Sequence, residues 1–530
     1  MNEPTTREAE PTPPETSKPP SLRPVWIVSG IAIVVVFAAR LLAPSFDYQN
    51  ANLVSLISVA IAVVFGLFRL HRRSVWSGKR WRVAIVVLTA VFAFFVCFRF
   101  EGFSGEMVPQ FEPRFLGRAV YEVKEEVAER RETPFESALV PSDSDSLQSP
   151  QFLGPNRNGV YPSRGFRIPA NELEIETLWE TGVGQGWSSF AVADGQAITL
   201  EQRADEECLT CYGLETGELH WIIRNRGLHR NTPGGIGSRS TPTIEGERVF
   251  ATTATGFLWC VDRGTGETVW SKNLLDLAGW NQEQFEAAAP WGYAVSPLLI
   301  NGLCVVALGG PVGGDRAASL IAFDAASGVE AWRSGNDQLS YASPVAMKLA
   351  GVNQIVSVNE GSVSGHNPDT GAVLWSFDWP GSTNTGANCA SAMHVDGDRV
   401  LVGKGYGGGS ALVEVRRENS EWKTFDDWRS TRLLKTKFNH TCVSGNVGFA
   451  ISNGQLQAVN LDDASVYWTQ PRRQRTAQGH CVLVEDTLVV QDEAGDLVFV
   501  DASLTDYDEV LRVEALSSKA WNIPTVAGRY

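Results

Sequence analysis

Six tryptophans end copies of one short motif, and this repeat constrains the fold more than any other feature of the chain. In each copy the tryptophan lies eight residues after a position that the clearest copy fills with Asp262. Successive tryptophans are 49, 62, 43, 47 and 46 residues apart. A repeat of this length built from short strands is typical of the blades of a β-propeller. The six are Trp221, Trp270, Trp332, Trp375, Trp422 and Trp468.

The chemistry of the clearest copy explains how one blade is made. Residues 257–261 are apolar and predict a strand. Asp262 and Gly266 then predict a tight turn, because a short acid bonds nearby backbone and glycine accepts positive φ. The run that ends at Trp270 is the outermost strand, and we expect its indole to be buried against the next blade. The acids of the repeat are interpreted as turn formers and not as metal ligands.

This motif resembles the tryptophan-docking repeat of the pyrroloquinoline-quinone (PQQ) propellers, Ala-x-Asp-x-x-Thr-Gly-x-x-x-Trp. The resemblance covers residues 151–530. That superfamily contains the quinoprotein dehydrogenases and the non-catalytic propeller of outer-membrane assembly. Three longer phrases, at residues 151–159, 234–237 and 435–438, resemble a narrower group of membrane-anchored bacterial PQQ-like repeat proteins. The resemblance implies an all-β propeller.

A second recurring position predicts eight blades. Each blade is expected to open with an inner strand that carries a small or proline residue, and residues 177–181 are expected to supply the last outer strand and cover a sheet edge. The chain stops at Tyr530, before the second and third strands of the eighth blade, so we expect that blade to be incomplete and the sequence truncated. The eight recurring positions are Ala191, Pro242, Pro297, Pro344, Ala392, Cys442, Cys481 and Pro524.

The amino-terminal fifth of the chain has another composition. Residues 1–24 are rich in Pro, Thr and Glu and predict a disordered tail. Three apolar stretches follow, at residues 25–42, 53–70 and 83–100, and each is close to the length of a transmembrane helix. A cleaved signal peptide is disfavoured, because the first stretch is long and lacks a small-residue cleavage pattern.

The connections between these stretches predict their orientation. Arg72, Arg73, Lys79 and Arg80 lie between the second and third stretches, whereas residues 43–52 carry only Asp47. Positive loops stay in the cytoplasm. We therefore expect a cytoplasmic amino terminus, an anchor in the bacterial cytoplasmic membrane and a periplasmic propeller. Residues 101–150 are predicted to hold a short amphipathic stalk helix, at 114–131, and a Ser/Asp linker.

Charge and cysteine usage exclude some functions. A net charge of −15, with the clustered basic residues assigned to the cytoplasmic loop, argues against nucleic acid as a partner. Cys208 and Cys211 form a C-x-x-C pair, but residues three apart on a strand point to opposite faces. No zinc site is predicted, since no second pair has suitable spacing. An oxidising compartment permits a disulfide, and the spacing does not say which of the eight cysteines would pair.

The resemblance raises the question of catalysis. Its dehydrogenases hold PQQ and calcium in the propeller funnel, with a vicinal cysteine disulfide over the quinone, Glu and Asn on calcium and an Asp as base. This chain has no Cys-Cys dipeptide, no acid in the four positions before any of the eight recurring positions, and no C-x-x-C-H haem motif. The prediction is a protein with no catalytic residue, metal or cofactor; a PQQ-dependent oxidoreductase with calcium is the alternative.

Residues at the starts of inner strands meet around the channel mouth of a propeller, where ligands commonly bind. Such residues can equally satisfy strand ends and hold channel water. We expect an anionic or polar ligand and not a metal ion. Arginine repels cations, and two histidines alone supply too few ligands for a metal site. The predicted ligand rim is Arg239, Tyr341, Asn439, His440, His480 and Trp521.

Three functions compete. The first is a membrane-anchored, non-enzymatic propeller that binds a protein or envelope component, and this is our prediction. The second is the quinoprotein dehydrogenase. The third is a small-molecule sensor, for which residues 1–24 offer no output domain. The sequence identifies neither the partner nor the oligomeric state.

Overall fold

The computed structural model describes residues 21–44, 47–76, 80–115, 123, 148–161, 167–383 and 386–530. It divides into two compact units. The first contains α1 (Arg23–Leu42), most of α2 (Tyr48–Trp76) and α3 (Arg80–Cys97). The predicted disordered tail, except for its last four residues, lies outside the described residues, as does most of the predicted stalk helix and linker.

Two of the three predicted spans have the required length. Within the described residues, Arg23–Leu42 and Tyr48–Arg73 are long and apolar enough to cross a membrane, by length and composition. The third helix contributes only the shorter apolar run Ile85–Cys97. The prediction of a helix to residue 100 is wrong, because the chain changes to β1 (Phe98–Phe103), which pairs with β2 (Pro109–Pro113). A hairpin therefore stands where the start of the stalk and linker region was expected.

The second unit is an all-β, propeller-like fold. Its described residues form seven four-stranded antiparallel meanders, here called blades 1 to 7. Blade 1 is β4 (Ala191–Ala193), β5 (Gln196–Arg203), β6 (Glu206–Gly213) and β7 (Leu219–Arg226), followed by a hairpin of β8 (Arg230–Asn231) and β9 (Gly235–Ile236). Blade 2 is β10 (Thr243–Glu245), β11 (Arg248–Thr252), β12 (Phe257–Asp262) and β13 (Thr268–Asn273), followed by α4 (Leu274–Ala278) and α5 (Gln282–Ala288). Blade 3 is β14 (Leu298–Ile300), β15 (Leu303–Gly309), β16 (Ala318–Asp324) and β17 (Glu330–Ser334).

The remaining blades follow the same order. Blade 4 is β18 (Val345–Leu349), β19 (Val352–Val358), β20 (Ser362–His366) and β21 (Val373–Asp378). Blade 5 is β22 (Met393–Val395), β23 (Arg399–Lys404), β24 (Gly409–Glu418) and β25 (Glu421–Ser430). Blade 6 is β26 (Cys442–Ser444), β27 (Val447–Ser452), β28 (Gln455–Asn460) and β29 (Val466–Thr469). Blade 7 is β30 (His480–Val484), β31 (Thr487–Gln491), β32 (Asp496–Asp501) and β33 (Asp508–Glu514), and the parallel strand β3 (Val160–Tyr161) extends it at β30.

The repeat motif shapes the two outer strands of each blade. In blade 2, Asp262 Oδ1 accepts the backbone N–H groups of Gly264 and Thr265 at 3.1 and 2.9 Å, as a turn former does. The pairing of the third and fourth strands then shifts by one residue at a bulge, which occurs in all seven sheets. A bulge bends a strand and re-aims its side chains. In blade 2 it follows the pair Cys260 and Trp270.

Four of the repeated indoles make the same contact with the following blade. Their Nε1–H groups donate to backbone carbonyl oxygens: Trp221 to Arg263, Trp270 to Ala325, Trp332 to Pro368 and Trp468 to Ser503, at 2.7–3.2 Å. For three of the four, a turn glycine of that next blade faces the ring. At Gly266, Gly328 and Gly371 an added Cβ would stand 2.5–2.9 Å from the indole. The tryptophan and the glycine of successive repeats therefore fit together.

Trp422 and Trp375 depart from this pattern. Trp422 is only half-buried, stacks with Arg417 of its own long hairpin and packs at the margin of the core cluster that blades 4 and 5 share, and it does not hold the docking position of the repeat. Blade 5 has ten-residue outer strands, and the bulge register places Trp428 opposite Leu412, from where its Nε1–H donates to Leu461 O at 2.7 Å. Trp375 is buried, but it donates to Gln354 Oε1 of its own blade at 2.6 Å.

The segments expected to close the ring are not strands. Neither residues 177–181 nor the stretch around Pro524 pairs in a sheet within the described residues. The count of eight blades therefore remains a prediction.

The glycine-rich residues 405–408 form the turn between β23 and β24, as a hairpin loop does.

Candidate functional site

The central channel of the second unit is occupied by the chain itself. Residues 148–161, here called the channel segment, contact inner strands in several blades. Ser149 exchanges backbone hydrogen bonds with Val192 of β4, at 2.7 and 3.0 Å, and Pro150 O accepts the N–H of Ile244 of β10 at 2.7 Å. At its far end, the channel segment becomes β3 and pairs with β30. Because inner strands surround the axis of a propeller, a segment that reaches blades 1, 2 and 7 lies in the channel.

Arg157 fixes the middle of the channel segment. Its guanidinium donates to Pro297 O at 2.9 Å and to Ser296 O at 3.1 Å, just before the inner strand of blade 3. The side chain is buried, and burial lowers the pKa of Arg157 to about 9. The Phe152 ring lies beneath the Arg157 guanidinium, with 5.6 Å between Cζ and the ring centroid. The same ring packs edge-on against the His440 ring. A charge held by backbone carbonyls in this way closes the space that a channel ligand would use.

The described parts of two further segments, residues 43–44 with 47–50 and residues 100–110, belong to the same unit and are here called the mouth loops. They contact connections that follow outer strands. Asp47 Oδ1 lies 3.5 Å from Lys437 Nζ, and both side chains have no exposed surface. Lys437 also donates to Gly105 O at 3.3 Å, which joins the two mouth loops at one ammonium group. Burial lowers the pKa of Lys437, and the Asp47 carboxylate opposes that shift.

A second ion pair holds the other mouth loop. Arg475 Nη1 lies 2.6 Å from both carboxylate oxygens of Glu106, which is buried. The N–H of Gly105 donates to Glu493 Oε1 at 2.5 Å, and Lys519 donates to Phe103 O at 3.0 Å. Charge-assisted bonds of this kind are stronger than neutral ones. The mouth loops are therefore fixed on the connections of blades 6 and 7.

The predicted ligand rim is divided into two groups. In the first, Arg239 donates to the carbonyl oxygens of Gly234, Gly237 and Trp291 at 3.0–3.1 Å. Tyr341 accepts the N–H of Trp291 at 3.4 Å and donates to Thr383 O at 2.9 Å. Burial lowers the pKa of Arg239 to about 10 and raises that of Tyr341. The donors of both side chains are thus engaged by backbone.

The second group contains both histidines. The rings of His440 and His480 are stacked with centroids 6.2 Å apart, and both are buried. Burial lowers the pKa of His440 to about 3, with the neighbouring His480 adding to the shift, and lowers the pKa of His480 to about 4. His440 Nδ1 accepts the N–H of Ser391 at 3.1 Å. At neutral pH both rings are uncharged, so they offer no cation to an anionic ligand.

Asn439 and Trp521 retain unused polar atoms. Asn439 Nδ2 donates to Gly479 O at 3.4 Å, while its Oδ1 has no hydrogen-bond partner in the described part of the chain. Trp521 Nε1 likewise has no hydrogen-bond partner in the described part of the chain. The Trp521 ring lies against the Trp187 ring, with centroids 4.7 Å apart. Lys519 Nζ stands 4.2 Å from the Trp521 ring centroid. Buried polar atoms of this kind are commonly served by channel water.

The acidic side chains at the mouth of the channel are engaged by basic partners, and the absence of PQQ and calcium stays a prediction. Over the described residues there is no group of three or more His, Cys, Asp or Glu side chains that could hold a metal ion. The acids nearest the mouth, Asp47 and Glu106, are paired with Lys437 and Arg475.

Sequence reasoning did not find the mouth ion pairs. Asp47 was noticed only as the single charge of its connection, and Glu106 was not noticed. The sequence did contain an indication of these residues. Two of the motifs that lie outside the repeat, residues 151–159 and 435–438, contain Arg157 and Lys437. The third phrase, at 234–237, supplies two of the carbonyls that bind Arg239.

Comparison with known proteins gives consistent relationships. A family model described as "Outer membrane protein assembly factor BamB" matches residues 175–277 and 279–470, more than half of the chain. Outer membrane protein assembly factor BamB of Shewanella oneidensis is 25% identical over 251 residues, which are 44% of this chain and 58% of that protein. The match thus spans less than two thirds of the relative.

Two solved structures are similar to the chain. BamB from Moraxella catarrhalis superposes with a TM-score of 0.46 at 15% identity, over 66% of this chain and 94% of that one. The quinohemoprotein alcohol dehydrogenase of Comamonas testosteroni gives a TM-score of 0.50 at 12% identity, over 71% of this chain and 74% of that one. Likeness at these identities concerns the fold alone.

Proposed function

Since the chain belongs to the family described as outer membrane protein assembly factor BamB, we propose that it is a membrane-anchored, extracytoplasmic propeller. It acts as a non-enzymatic scaffold that binds a protein or envelope component. Its three helices anchor it in the bacterial cytoplasmic membrane, with the amino terminus inside and the propeller in the periplasm. Its ring has eight blades, and it needs neither PQQ nor calcium.

The observation that carries this proposal is the closed channel. Quinoprotein dehydrogenases use the funnel of the propeller for quinone and metal, whereas here Arg157 lies within the channel and Asp47 and Glu106 are paired at its mouth. A propeller without a free channel still offers its outer strands and turns to another macromolecule. This supports binding in place of catalysis.

Three contacts support an eighth blade. Trp179 Nε1–H donates to Leu214 O at 2.8 Å, and Gly217 faces its ring, as in the other inter-blade contacts. Near the carboxyl end, Thr525 Oγ1 donates to Phe190 O at 3.0 Å. A tryptophan placed as the docking tryptophans are, and a segment beside the start of β4, therefore both lie next to blade 1.

The anchor is tested by reporter fusions to the full chain. A reporter after Ser149 should be active only outside the cytoplasm, and one at Ser77 only inside. Neutralising Arg72, Arg73, Lys79 and Arg80 together should scramble insertion, since they carry most of the orienting charge. A cytoplasmic propeller in the unaltered protein would reject the proposed location.

The scaffold role is tested by in vivo crosslinking of the full-length protein in envelope membranes, followed by mass spectrometry. We expect one envelope protein to crosslink to photoreactive residues on the exposed outer strands and not to residues of the channel segment. Photoreactive residues placed on the cytoplasmic loop provide the matched control. The alternative is tested with PQQ and calcium: calcium-dependent binding of PQQ at micromolar affinity, with dye reduction by an alcohol or sugar, would make the dehydrogenase the better proposal.

A further inference from the structure

Two cysteines on adjacent inner strands lie against each other. Cys442 begins β26 of blade 6, and Cys481 lies in β30 of blade 7. Cys442 Sγ is 3.4 Å from the carbonyl oxygen of Cys481, and both side chains are buried. A hydrogen bond between the two thiols, together with burial, raises the pKa of Cys442 well above its ordinary value.

The channel segment restricts the Cys442 thiol from the other side. Gly159, with φ of +71°, faces it so closely that an added Cβ would stand 2.8 Å from Sγ. Leu483 N donates to Gly159 O at 2.8 Å, which holds that glycine in place beside β30. Cys442 is therefore packed between the channel segment and the strand that carries Cys481.

We propose that Cys442 and Cys481 form a disulfide that joins the inner strands of blades 6 and 7. This rests on the proposed extracytoplasmic location, because disulfides persist in oxidising compartments. The C-x-x-C pair is less suited. Cys208 and Cys211 occupy one strand and pair across it with different residues, Glu201 and Ile198.

The oxidation requires a disulfide donor, either an extracytoplasmic thiol oxidoreductase or a small disulfide. One cysteine thiolate attacks a sulfur of the donor, which gives a mixed disulfide and releases one donor thiol. The second thiolate attacks the protein sulfur of that bond and releases the second donor thiol. Two electrons pass to the donor and the two cysteine protons are released to solvent or to the donor thiolates. Because both thiols are buried in the fold, the bond forms while blades 6 and 7 are assembling.

The bond is tested by alkylating full-length protein, purified from envelope membranes, in denaturant without reductant. We expect two of the eight cysteines to resist alkylation, and a proteolytic digest to contain a Cys442–Cys481 crosslinked peptide that reduction separates. Alkylation of all eight cysteines would overturn the proposal. This measurement uses the unaltered chain, so it does not depend on whether a variant folds.

Variants and a refolding arm separate this proposal from the location on which it rests. Cys442→Ser should make Cys481 alkylatable, whereas the matched control Cys260→Ser, at a buried cysteine of another blade, should leave the crosslinked peptide intact. If reporters place the propeller in the cytoplasm, reduced protein is refolded in a glutathione redox buffer. Formation of the same crosslink there supports the pairing although the location fails, and its absence overturns the pairing.

Discussion

The ring of blades and the channel are stabilised in different ways. Between blades one contact recurs, in which an indole N–H meets a carbonyl oxygen of the next blade and a glycine makes room for the ring. In the channel and at its mouth the contacts differ from one another: Arg157 donates to two backbone carbonyls, Asp47 pairs with Lys437, and Glu106 pairs with Arg475. The repeat can specify a propeller. Residues that occur only once and lie outside the repeat decide whether its channel is open.

The largest expected effect concerns the recurring contact. Trp270→Ala removes a buried indole that packs against Phe250 and Phe323 of two successive blades. It should lower the free energy of unfolding by about 3–5 kcal/mol, as for other large core aromatics. The matched control is Trp422→Ala, which should cost clearly less than Trp270→Ala, since the Trp422 side chain is only half-buried. Equal losses for the two variants in urea unfolding would show that the inter-blade contact is not what stabilises the ring.

The next effect concerns a contact that occurs once. Asp47→Ala leaves the Lys437 ammonium buried without its carboxylate, and breaking such a pair costs about 3 kcal/mol. The double variant Asp47→Ala, Lys437→Met removes both charges and should recover most of that loss. Thermal unfolding of the full chain in detergent measures both. A double variant no more stable than the single one would show that the ion pair is not the source of the effect.

What could be predicted from the sequence follows the same division. The strands, the turn at Asp262 and the burial of Trp270 follow from local spacing, because a repeat reports the same environment many times. The pairing of Asp47 with Lys437 could not be predicted, since the two lie 390 residues apart and neither belongs to a periodic pattern. Trp422 was assigned by spacing alone, and a longer hairpin in blade 5 moved that position to Trp428.

The glycines of the repeat give a smaller test. Gly266 and Gly246 both have positive φ, at +76° and +54°, so alanine is strained at either position. At Gly266 the new methyl would also stand 2.9 Å from the Trp221 indole, whereas nothing lies within 4 Å of it at Gly246. We expect Gly246→Ala to cost about 1 kcal/mol, and Gly266→Ala to cost about 1–3 kcal/mol more from overpacking. Identical urea midpoints for the two variants would mean that the indole yields freely and the fit is not specific.

The smallest expected effect concerns the pH dependence of stability, and it compares a buried histidine of the channel with an exposed one. Burial lowers the pKa of His440 to about 3 in the folded protein, from an ordinary value of 6.5. Below about pH 6.5 this histidine is protonated in the unfolded chain but stays neutral in the folded one. Its contribution to the free energy of unfolding is therefore complete above that pH and decreases as the pH falls toward 3. At pH 5 the loss is about 2 kcal/mol for this histidine. His440→Gln should therefore reduce the difference in unfolding free energy between pH 7 and pH 5 by about that amount. His394→Gln, at an exposed histidine outside the channel, is the matched control. An unaltered pH dependence in His440→Gln would mean that water reaches the channel and solvates the imidazolium, and the closed channel would then have to be reconsidered.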